Sequence, residues 1–414
     1  MTYEEALEYI HSICWRGSRP GLERIGELCR RLGDPQDKLK FIHVAGTNGK
    51  GSTCAMLTSV LTEAGYKVGT FTSPYIFSFR ERMCVNGEMI SEETLASICE
   101  EVRPLADSMD DPPTEFELIT ALAFVYFLRE ECDVVVLEAG LGGRMDSTNI
   151  IKNSIVSIIT GIALDHTEIL GDTTAKIAAE KAGIIKTGCP VVVGRVDKEA
   201  AAVILAKAEE MSAPHCQIDY DYLSNIRVEL SGCTFDFADM KELYVPLVGA
   251  YQPSNAAVAI TAARIFGVGD DEIRAGLGEV KWRGRFEILE KEPTVIFDGG
   301  HNKDGAQAVA NTLSALGIKE VVILSAVMAD KEYTEMIKLL SPFAKAVYTV
   351  APENNPRALP AKAYAEAWSA ESIPFETVRE GYNAAFERAK KEKLPLLITG
   401  SLYLYSDIMN VRCK

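Results

Sequence analysis

The chain has 414 residues, of which 47% are hydrophobic and 25% are charged, and its formal net charge is −16 at pH 7. A chain of this length exceeds what one hydrophobic core usually supports, so we expect two domains. The acidic balance argues against nucleic acid or an anionic membrane as a partner, because both bind basic surfaces, although a few local Arg and Lys residues can still bind a small anion.

The cysteines and the first residues indicate the cellular setting. The ten cysteines are scattered from Cys14 to Cys413 without a CxxC pair, which is typical of reduced thiols rather than of disulfides or a zinc site. The N-terminal stretch lacks the basic and apolar regions of a signal peptide, and no apolar run reaches the ~20 residues of a membrane span. We expect a soluble, cytoplasmic protein that acts as a monomer.

The first predicted elements include a strand–helix–strand unit. Thr2 and Glu5 have the spacing of a capping box, which predicts a helix at the N-terminus. An apolar run at 39–44 predicts a buried strand, a glycine-rich turn leads into a helix at 50–65, and a second strand is predicted at 67–71. Such a unit implies a parallel sheet with a nucleotide site at the carboxyl end of the first strand.

The rest of the chain indicates two α/β domains. Three short β-like stretches within 226–248 predict a small antiparallel patch on the first domain. A polar stretch before Pro293 suggests the boundary, so that residues 1–288 form a P-loop-type, mostly parallel ATP-binding domain and residues 289–414 form a smaller Rossmann-like C-terminal domain. The remaining predicted strands are 133–137, 154–160, 190–193, 294–297, 321–325, 346–350 and 394–399, and the further predicted helices include 114–129, 174–186, 253–266 and 271–279.

The segment HVAGTNGKGST joins the first of these strands to its helix. Its glycines let backbone amides approach phosphate oxygens, the helix N-terminus adds partial positive charge, and Lys50 can reach the β- and γ-phosphates of ATP. The spacing departs from GxxxxGK[ST], since Val44 replaces the first glycine and Gly51 follows the lysine. The alternative is a purely structural turn, and without nucleotide we expect the Lys50 ammonium to be solvated. The predicted ATP-binding residues of this loop are Gly46, Thr47, Asn48, Gly49, Lys50, Gly51, Ser52 and Thr53.

Three titratable residues lie near the predicted strand ends or on the following helix. Glu138 ends the apolar strand DVVVLE, where a carboxylate faces the ligand crevice of an α/β sheet, and the alternative is a surface glutamate. His166 follows the next strand and is equally consistent with a structural histidine. Lys181 lies on an amphipathic helix, where a solvated side chain is the ordinary interpretation.

Two arginines and a second capping box form another group. Arg80 and Arg82 suit an anionic substrate because arginine binds a carboxylate through two donors, but with Glu81 they equally form a surface charge cluster. Thr114 and Glu117 have capping-box spacing and therefore a structural explanation at the start of a helix.

These motifs together resemble the folylpolyglutamate synthase and dihydrofolate synthase family of the Mur ligase superfamily. The similar blocks occur in the family's order and cover the chain from end to end. One block departs from the family pattern DGAHNP, because Gly300 and Lys303 replace its alanine and proline. The blocks are GTNGKGS, FTSPYIFSFRERMCVNG, LEAGLGGRMDSTN, ALDHTEILGDTTAKIAAEKAGIIK, GAYQPSN, WRGRFE, DGGHN and TGSLYL.

The resemblance implies an ATP site with two Mg²⁺ ions. Asn255 would contact the base of ATP, Arg285 the phosphates and Asp298 the ribose. Lys181 would carry CO₂ as a carbamate, which turns a cation into an oxygen ligand for the metal. The implied metal ligands are Ser52, Ser73, Glu138, His166 and the Lys181 carbamate, and the catalytic residues are Lys50, Glu138, His166 and Lys181.

The resemblance also implies sites for the two other substrates. The folate-binding residues would be Arg82, Thr114, Glu115, Phe116, Glu117 and Met145, with Phe116 stacking on the pteridine. The glutamate-binding residues would be His301, Ser401 and Tyr403, whose alternative is ordinary loop structure.

The implied activity is an ATP- and Mg²⁺-dependent ligation of L-glutamate to a (tetrahydro)folate carboxylate through an acyl phosphate, with conversion of dihydropteroate to dihydrofolate left open. The partners would be these small substrates, without nucleic acid or membrane. One alternative is a Mur-type amino-acid ligase with a non-folate acceptor. A P-loop regulatory switch would not need Glu138, His166 and Lys181, and a Rossmann dehydrogenase would need GxGxxG, which the first loop lacks.

Overall fold

The computed structural model describes residues 1–17, 19–353 and 355–412. Within these ranges no helix combines the length and apolar character needed to span a bilayer. The chain forms two compact units, the first made of Met1–Asp221 and Ser254–Val280 and the second of Tyr222–Pro253 and Lys281–Lys414.

The strands are short and mostly buried. They are β1 Phe41–Ala45, β2 Val68–Phe71, β3 Met83–Val85, β4 Glu88–Met89, β5 Val134–Glu138, β6 Ser154–Gly161, β7 Val191–Arg195, β8 His215–Gln217, β9 Leu223–Glu229, β10 Gly232–Phe237, β11 Met240–Val245, β12 Glu287–Lys291, β13 Thr294–Asp298, β14 Val321–Ser325, β15 Ala344–Thr349, β16 Ser372–Pro374 and β17 Leu396–Thr399.

The α-helices alternate with these strands through most of the chain. They are α1 Tyr3–Ser12, α2 Glu23–Arg31, α3 Lys50–Glu63, α4 Glu92–Asp107, α5 Glu115–Arg129, α6 Thr167–Leu170, α7 Thr174–Ala182, α8 Lys198–Glu210, α9 Gln252–Phe266, α10 Asp270–Glu279, α11 Lys303–Ala315, α12 Tyr333–Leu340, α13 Ala361–Glu366, α14 Val378–Glu392 and α15 Leu404–Arg412.

The first unit is built on a mostly parallel sheet. Over the described residues its strand order is β4-β3-β2-β5-β1-β6-β7-β8, and the β3–β4 hairpin joins it antiparallel at one edge. Strands β1, β2 and β5 are buried along their whole length, as expected when helices cover both faces of a parallel sheet. Aromatic side chains fill the core, where the rings of Phe41 and Phe124 pack edge to face with centroids 5.7 Å apart. The predicted parallel sheet is confirmed.

The second unit contains a second parallel sheet and a small antiparallel one. In the described part of the chain the larger sheet has the order β12-β13-β17-β14-β15-β16, with only β12 antiparallel. Its core includes Phe286, Ile323 and Leu397. The antiparallel sheet β11-β10-β9 packs with this unit, since Val248 just beyond it lies in the same core and the Ala250 N–H donates to Thr312 Oγ1 at 3.1 Å.

These observations confirm the predicted α/β class, including a small antiparallel sheet and a second α/β domain. The boundary between residues 288 and 289 stays a prediction. One helix is shorter than its pattern predicts, because α7 ends at Ala182 rather than near residue 186, with Gly183 as its C-terminal cap.

Candidate functional site

The carboxyl ends of four neighbouring parallel strands, β2, β5, β1 and β6, meet at one edge of the first sheet. Val44 of β1 lies opposite Glu138 of β5, and Ala45 lies opposite Ile159 of β6. Loops that follow these strands therefore lie side by side. This is the edge where ligands bind in open α/β sheets.

The phosphate loop at this edge requires glycine at two positions. Gly46 and Gly49 have φ values of 156° and 85°. A Cβ on Gly46 would lie 1.9 Å from Thr160 Oγ1, and one on Gly49 would lie 2.6 Å from Asn255 Oδ1. The Thr160 hydroxyl donates to Asn48 O at 2.7 Å, which holds this part of the loop against β6. The sequence-predicted ATP residue Asn255 therefore packs directly on the loop.

The Lys50 side chain folds back onto the loop. Its Nζ donates to Gly46 O at 3.0 Å and to Thr47 O at 3.2 Å, and it lies 4.0 Å from Glu138 Oε1. The expectation of a solvated ammonium is wrong, because the curled loop turns two carbonyl oxygens toward the lysine and leaves its side chain 18% exposed. The Thr53 hydroxyl nearby is buried and has no hydrogen-bond partner among the described residues, which fits a loop shaped for a ligand.

Lys181 is buried at the same loop. It is 4% exposed, and its Nζ donates to Gly46 O at 2.9 Å. Burial lowers the pKa of Lys181 to about 7, helped by the nearby Lys50 and opposed by Asp165 and Asp146. The alternative of a solvated helical lysine is therefore wrong. The Nζ atoms of Lys50 and Lys181 thus donate to the same carbonyl oxygen, Gly46 O.

Glu138 and Ser73 are neighbours at the strand ends. Glu138 is 3% exposed, and its Oε2 accepts a hydrogen bond from Ser73 N–H at 3.1 Å, so the surface alternative for this glutamate is wrong. His166 lies at the start of α6 in a left-handed conformation, exposed, with its Nε2 3.9 Å from Asp165 Oδ1. The structure thus brings Ser73, Glu138, Lys50 and Lys181 together, whereas the His166 side chain is exposed.

The donor groups fit a magnesium site made largely of oxygen atoms. Among the described residues no group of three or more His, Cys, Asp or Glu side chains is placed to hold a metal ion, so hydroxyl or substrate oxygens would complete a site at Glu138. Such hydroxyls belong to Ser73 and to the buried Ser52. Hard oxygen donors suit Mg²⁺, and the imidazole of His166 is the less usual donor.

A loop after β2 carries the predicted substrate arginine. The carboxylate of Glu81 accepts backbone N–H bonds from Ile76, Phe77 and Ser78 at 2.8–3.1 Å, which folds the loop around it. The Arg82 guanidinium lies 5.1 Å from the ring centroid of Tyr75. Sequence reasoning missed Glu81, although its spacing from Ser78 is the S-x-x-E signature of a capping box, which the structure contains.

Arg80 contacts other residues of the protein, which gives it a structural role. Its Nη1 donates to Ile90 O at 3.2 Å, and its Nη2 lies 3.6 Å from Glu92 Oε1. Arg82 is the arginine of this pair that remains a candidate for the acceptor carboxylate.

The start of α5 holds the predicted pteridine-facing residues. The capping box is present, and the Glu117 carboxylate also binds Arg24 in a buried ion pair at 3.0 Å. Glu115 Oε1 lies 2.8 Å from His11 Nδ1. Glu115 and Glu117 therefore have structural partners, and their folate contacts stay predictions.

Phe116 packs on the loop after β5. A Cβ on Gly140 would lie 2.5 Å from Phe116 Cζ, so the ring rests on loop backbone. Met145 of the same loop is 36% exposed. This loop beside the strand ends therefore carries a thioether and packs against an aromatic ring.

Predicted ATP and glutamate residues of the second unit cluster at the ends of β13 and β17, where Asp298 lies opposite Thr399. The buried Asp298 accepts N–H bonds from Phe286 at 2.9 Å and Gly300 at 2.7 Å. Burial raises the pKa of Asp298, and Arg285 opposes this rise. Asp298 and Arg285 are thus electrostatic neighbours.

The predicted glutamate residues follow the same two strands. His301 Nδ1 lies 3.1 Å from Gly299 O, and the buried Ser401 Oγ accepts from Tyr403 N–H at 3.2 Å. Tyr403 is 51% exposed. Their roles toward glutamate stay predictions.

Known proteins resemble this chain over its whole length. Residues 44–263 match the Mur ligase middle domain, and residues 284–402 match the Mur ligase glutamate ligase domain. A Bacillus subtilis protein named dihydrofolate synthase/folylpolyglutamate synthase is 39% identical, with 98% of each chain covered.

Solved structures agree with this match. A Mycobacterium tuberculosis folylpolyglutamate synthase complexed with ADP and AMPPCP has a TM-score of 0.92 at 30% identity, with 100% of this chain and 99% of that chain covered. Escherichia coli FolC in complex with DHPP and ADP has a TM-score of 0.89 at 33% identity, with 100% and 98% covered. The chain therefore belongs to the Mur ligase family and, within it, to the folylpolyglutamate and dihydrofolate synthases.

Proposed function

We propose that this protein is an ATP-dependent carboxylate–amine ligase that adds L-glutamate to the carboxylate of a reduced folate such as tetrahydrofolate. The observation that carries the proposal is the convergence of Lys50 and Lys181 on Gly46 O, beside the buried Glu138. A phosphate loop with a lysine cation, Lys50, and a buried carboxylate suits the transfer of a phosphoryl group. The family match supplies the class of ligase.

The reaction has two chemical steps. A substrate carboxylate oxygen attacks the γ-phosphorus of ATP, the bond to the β–γ bridging oxygen breaks, and an acyl phosphate and ADP form. The amine of L-glutamate then attacks the acyl carbon, the carbon–oxygen bond to phosphate breaks, and the amine loses a proton. Lys50 and the loop amides would hold the phosphates and stabilise their charge, and Arg285 would also contact the phosphates.

Magnesium fits this account as the partner of the phosphate oxygens. Ser73, Glu138 and His166 would hold one ion, and the Ser52 hydroxyl would lie near another. When bound, the ions neutralise phosphate charge. The protein's own contribution is to hold the Glu138 carboxylate in place, through Ser73 N–H at 3.1 Å, with Lys50 Nζ 4.0 Å from its Oε1.

A carbamate on Lys181 is part of the proposal. The neutral amine would attack CO₂, a nitrogen–carbon bond would form, and one proton would leave. A lysine with a pKa of about 7 is about half neutral at pH 7, whereas at the ordinary value of 10.5 less than about one part in a thousand is neutral. The buried position against Gly46 O therefore suits Lys181 for this modification.

The predicted acceptor residues would form a pocket suited to a flat heterocycle with an acidic tail. Phe116 packs on the backbone of the loop after β5, and Met145 lies on that loop. On the neighbouring loop, the Arg82 guanidinium lies 5.1 Å from the ring centroid of Tyr75 and 5.7 Å from that of Phe79. An aromatic ring and a thioether suit a pterin, and an arginine suits a carboxylate. A pocket of this kind would hold the acceptor with or without its first glutamate, so dihydropteroate is the second acceptor to test.

Isotope transfer tests the acyl phosphate. With ¹⁸O in the acceptor carboxylate, we expect one labelled oxygen in each released phosphate, because the oxygen that attacks ATP leaves with phosphorus. Mass spectrometry of the phosphate measures this transfer. Phosphate without label, formed in step with product, would contradict the mechanism, and a reaction without L-glutamate gives the background.

We further propose that the enzyme works as a monomer in the cytoplasm on small substrates alone. Each of the nine cysteines among the described residues is a free thiol, as expected in a reducing compartment. Sedimentation of the purified protein measures its oligomeric state.

A further inference from the structure

The loop after β5 rests on buried polar residues that the proposed reaction does not use. They come from three places, namely strand β1, the loop itself and the segment that follows α7. All except Lys186 are at most 7% exposed. They are His43, Asp146, Thr148, Asn149 and Lys186.

The first set of contacts ties the loop to β1. Asp146 accepts Leu141 N–H at 2.8 Å through Oδ2, and Thr148 N–H at 3.0 Å and the Thr148 hydroxyl at 2.5 Å through Oδ1. The single hydroxyl proton of Thr148 is thereby used, so its oxygen accepts from His43 Nε2 at 2.9 Å. Burial lowers the pKa of His43 to about 3, and a neutral ring with its proton on Nε2 satisfies this arrangement.

The second set of contacts ties the loop to the end of α7. Lys186 Nζ donates to Asn149 Oδ1 at 2.8 Å and to Asn149 O at 3.0 Å. Asn149 Nδ2 in turn donates to Arg144 O and to Gly183 O, both at 3.1 Å. Arg144 N–H donates to Glu180 O at 2.7 Å. One amide side chain therefore bridges the loop and the helix end, and Lys186 fixes its orientation.

The two segments joined in this way carry different parts of the site. Met145 follows Arg144 directly on the loop, and Lys181 follows Glu180 directly on α7. A shift of the loop relative to α7 would break the bond from Asn149 Nδ2 to Gly183 O and the bond from Arg144 N–H to Glu180 O. Losing hydrogen bonds at a part-buried site is costly. Ligation needs the acceptor and the phosphate loop held to within a fraction of an ångström.

We propose that Asn149 and Lys186 are positioning residues, which hold the acceptor-side loop in register with the helix that carries Lys181. The inference rests on the proposed function for its kinetic consequence, but the anchoring itself does not depend on the identity of the acceptor. Neither residue contacts the reacting atoms in this account.

Lys186→Met removes the ammonium and keeps an unbranched side chain. We expect kcat/KM for the folate acceptor to fall by about 10–100-fold, with KM for ATP changed by less than about threefold, because partners that orient a site typically contribute this much. Hydrogen exchange should accelerate at the amides of 141–149, and not in β1 or in the second unit. Lys186→Arg should recover most of the loss, since it retains a donor for Asn149.

Two further variants test Asn149 itself and control for the loss of a lysine. Asn149→Asp keeps the acceptor for Lys186 but removes both donations to carbonyl groups, so it should reproduce the faster local exchange. Lys152→Met is the matched control, because Lys152 is exposed and pairs with Asp37 at 2.8 Å, and it should behave like wild type.

Three results would contradict the proposed anchoring of the loop. Unchanged exchange at 141–149, exchange that rises equally throughout the first unit, or faster local exchange with unchanged kcat/KM would each overturn the proposal. If the wild-type protein released no ADP with any folate, the proposed function would fail, whereas the exchange comparison would still decide whether the loop is anchored in this way.

Discussion

Replacing Lys50 with alanine is expected to lower ADP release by about 10²–10³-fold, the usual loss when one charged donor to a transition state is removed. In the structure its Nζ donates to Gly46 O and Thr47 O, so the side chain already lies against the loop that we propose binds phosphate. The substitution also removes these two hydrogen bonds, so the free energy of unfolding should fall by about 1 kcal/mol. Steady-state ADP release and thermal melting measure the two effects separately.

Lys67→Ala is the control for this experiment. Lys67 is 42% exposed and pairs with Glu130 at 3.0 Å at the start of β2, so its loss should leave turnover unchanged. Turnover of Lys50→Ala within about threefold of wild type would contradict the phosphate role. So would a melting temperature so low that unfolding alone accounts for the lost activity.

Lys181→Ala is expected to be nearly inactive, with a loss of at least about a hundredfold, because it removes the amine that carries the carbamate that we propose. In the wild type the carbamate should disappear as the pH falls through about 7 at fixed dissolved CO₂, since protonated amine cannot react. Incorporation of ¹³C from labelled CO₂, observed by NMR, measures the carbamate directly.

The lowered pKa of Lys181 also determines how the stability of the folded protein depends on pH. The folded value of about 7 lies below the ordinary 10.5, so the folded state binds fewer protons than the unfolded state between these values. Burying unmodified Lys181 therefore costs most stability below pH 7, and the cost disappears as the pH rises toward 10.5. Lys181→Ala should accordingly gain stability relative to unmodified wild type as the pH is lowered.

Lys176→Ala provides the control on the same helix, because Lys176 is exposed and pairs with Asp172 at 2.8 Å. A small carboxylic acid in solution should restore part of the activity of Lys181→Ala. A bare ammonium on Lys181 in a complex with ATP and Mg²⁺ would contradict the carbamate.

Local sequence rules predict much of this fold. Thr2 and Thr114 cap their helices as the S/T-x-x-E spacing indicates, and the first apolar run is the buried strand β1. The β3–β4 hairpin was not predicted, although Asn86-Gly87 is the usual turn signal and both residues have positive φ. Strands this short bury too few side chains to give a clear alternating pattern.

The site was predictable where chain order alone brings residues together. Glu138 ends β5 next to the phosphate strand, so parallel pairing is enough to place it. The burial of Lys181 against Gly46 O depends on how α7 packs across 135 residues of sequence separation, and helical periodicity favours the opposite interpretation. The bridge from Asn149 to Gly183 is likewise a tertiary contact without a local signal.

One assay of ADP release tests the central claim most directly. Purified protein is incubated with ATP, Mg²⁺ and one acceptor, with or without L-glutamate. The account predicts release with tetrahydrofolate that requires L-glutamate, and none with uridine-linked cell-wall precursors. Release with dihydropteroate would add dihydrofolate synthase activity. Glutamate-independent release would contradict the ligase mechanism, and no release with any pterin would contradict the folate assignment.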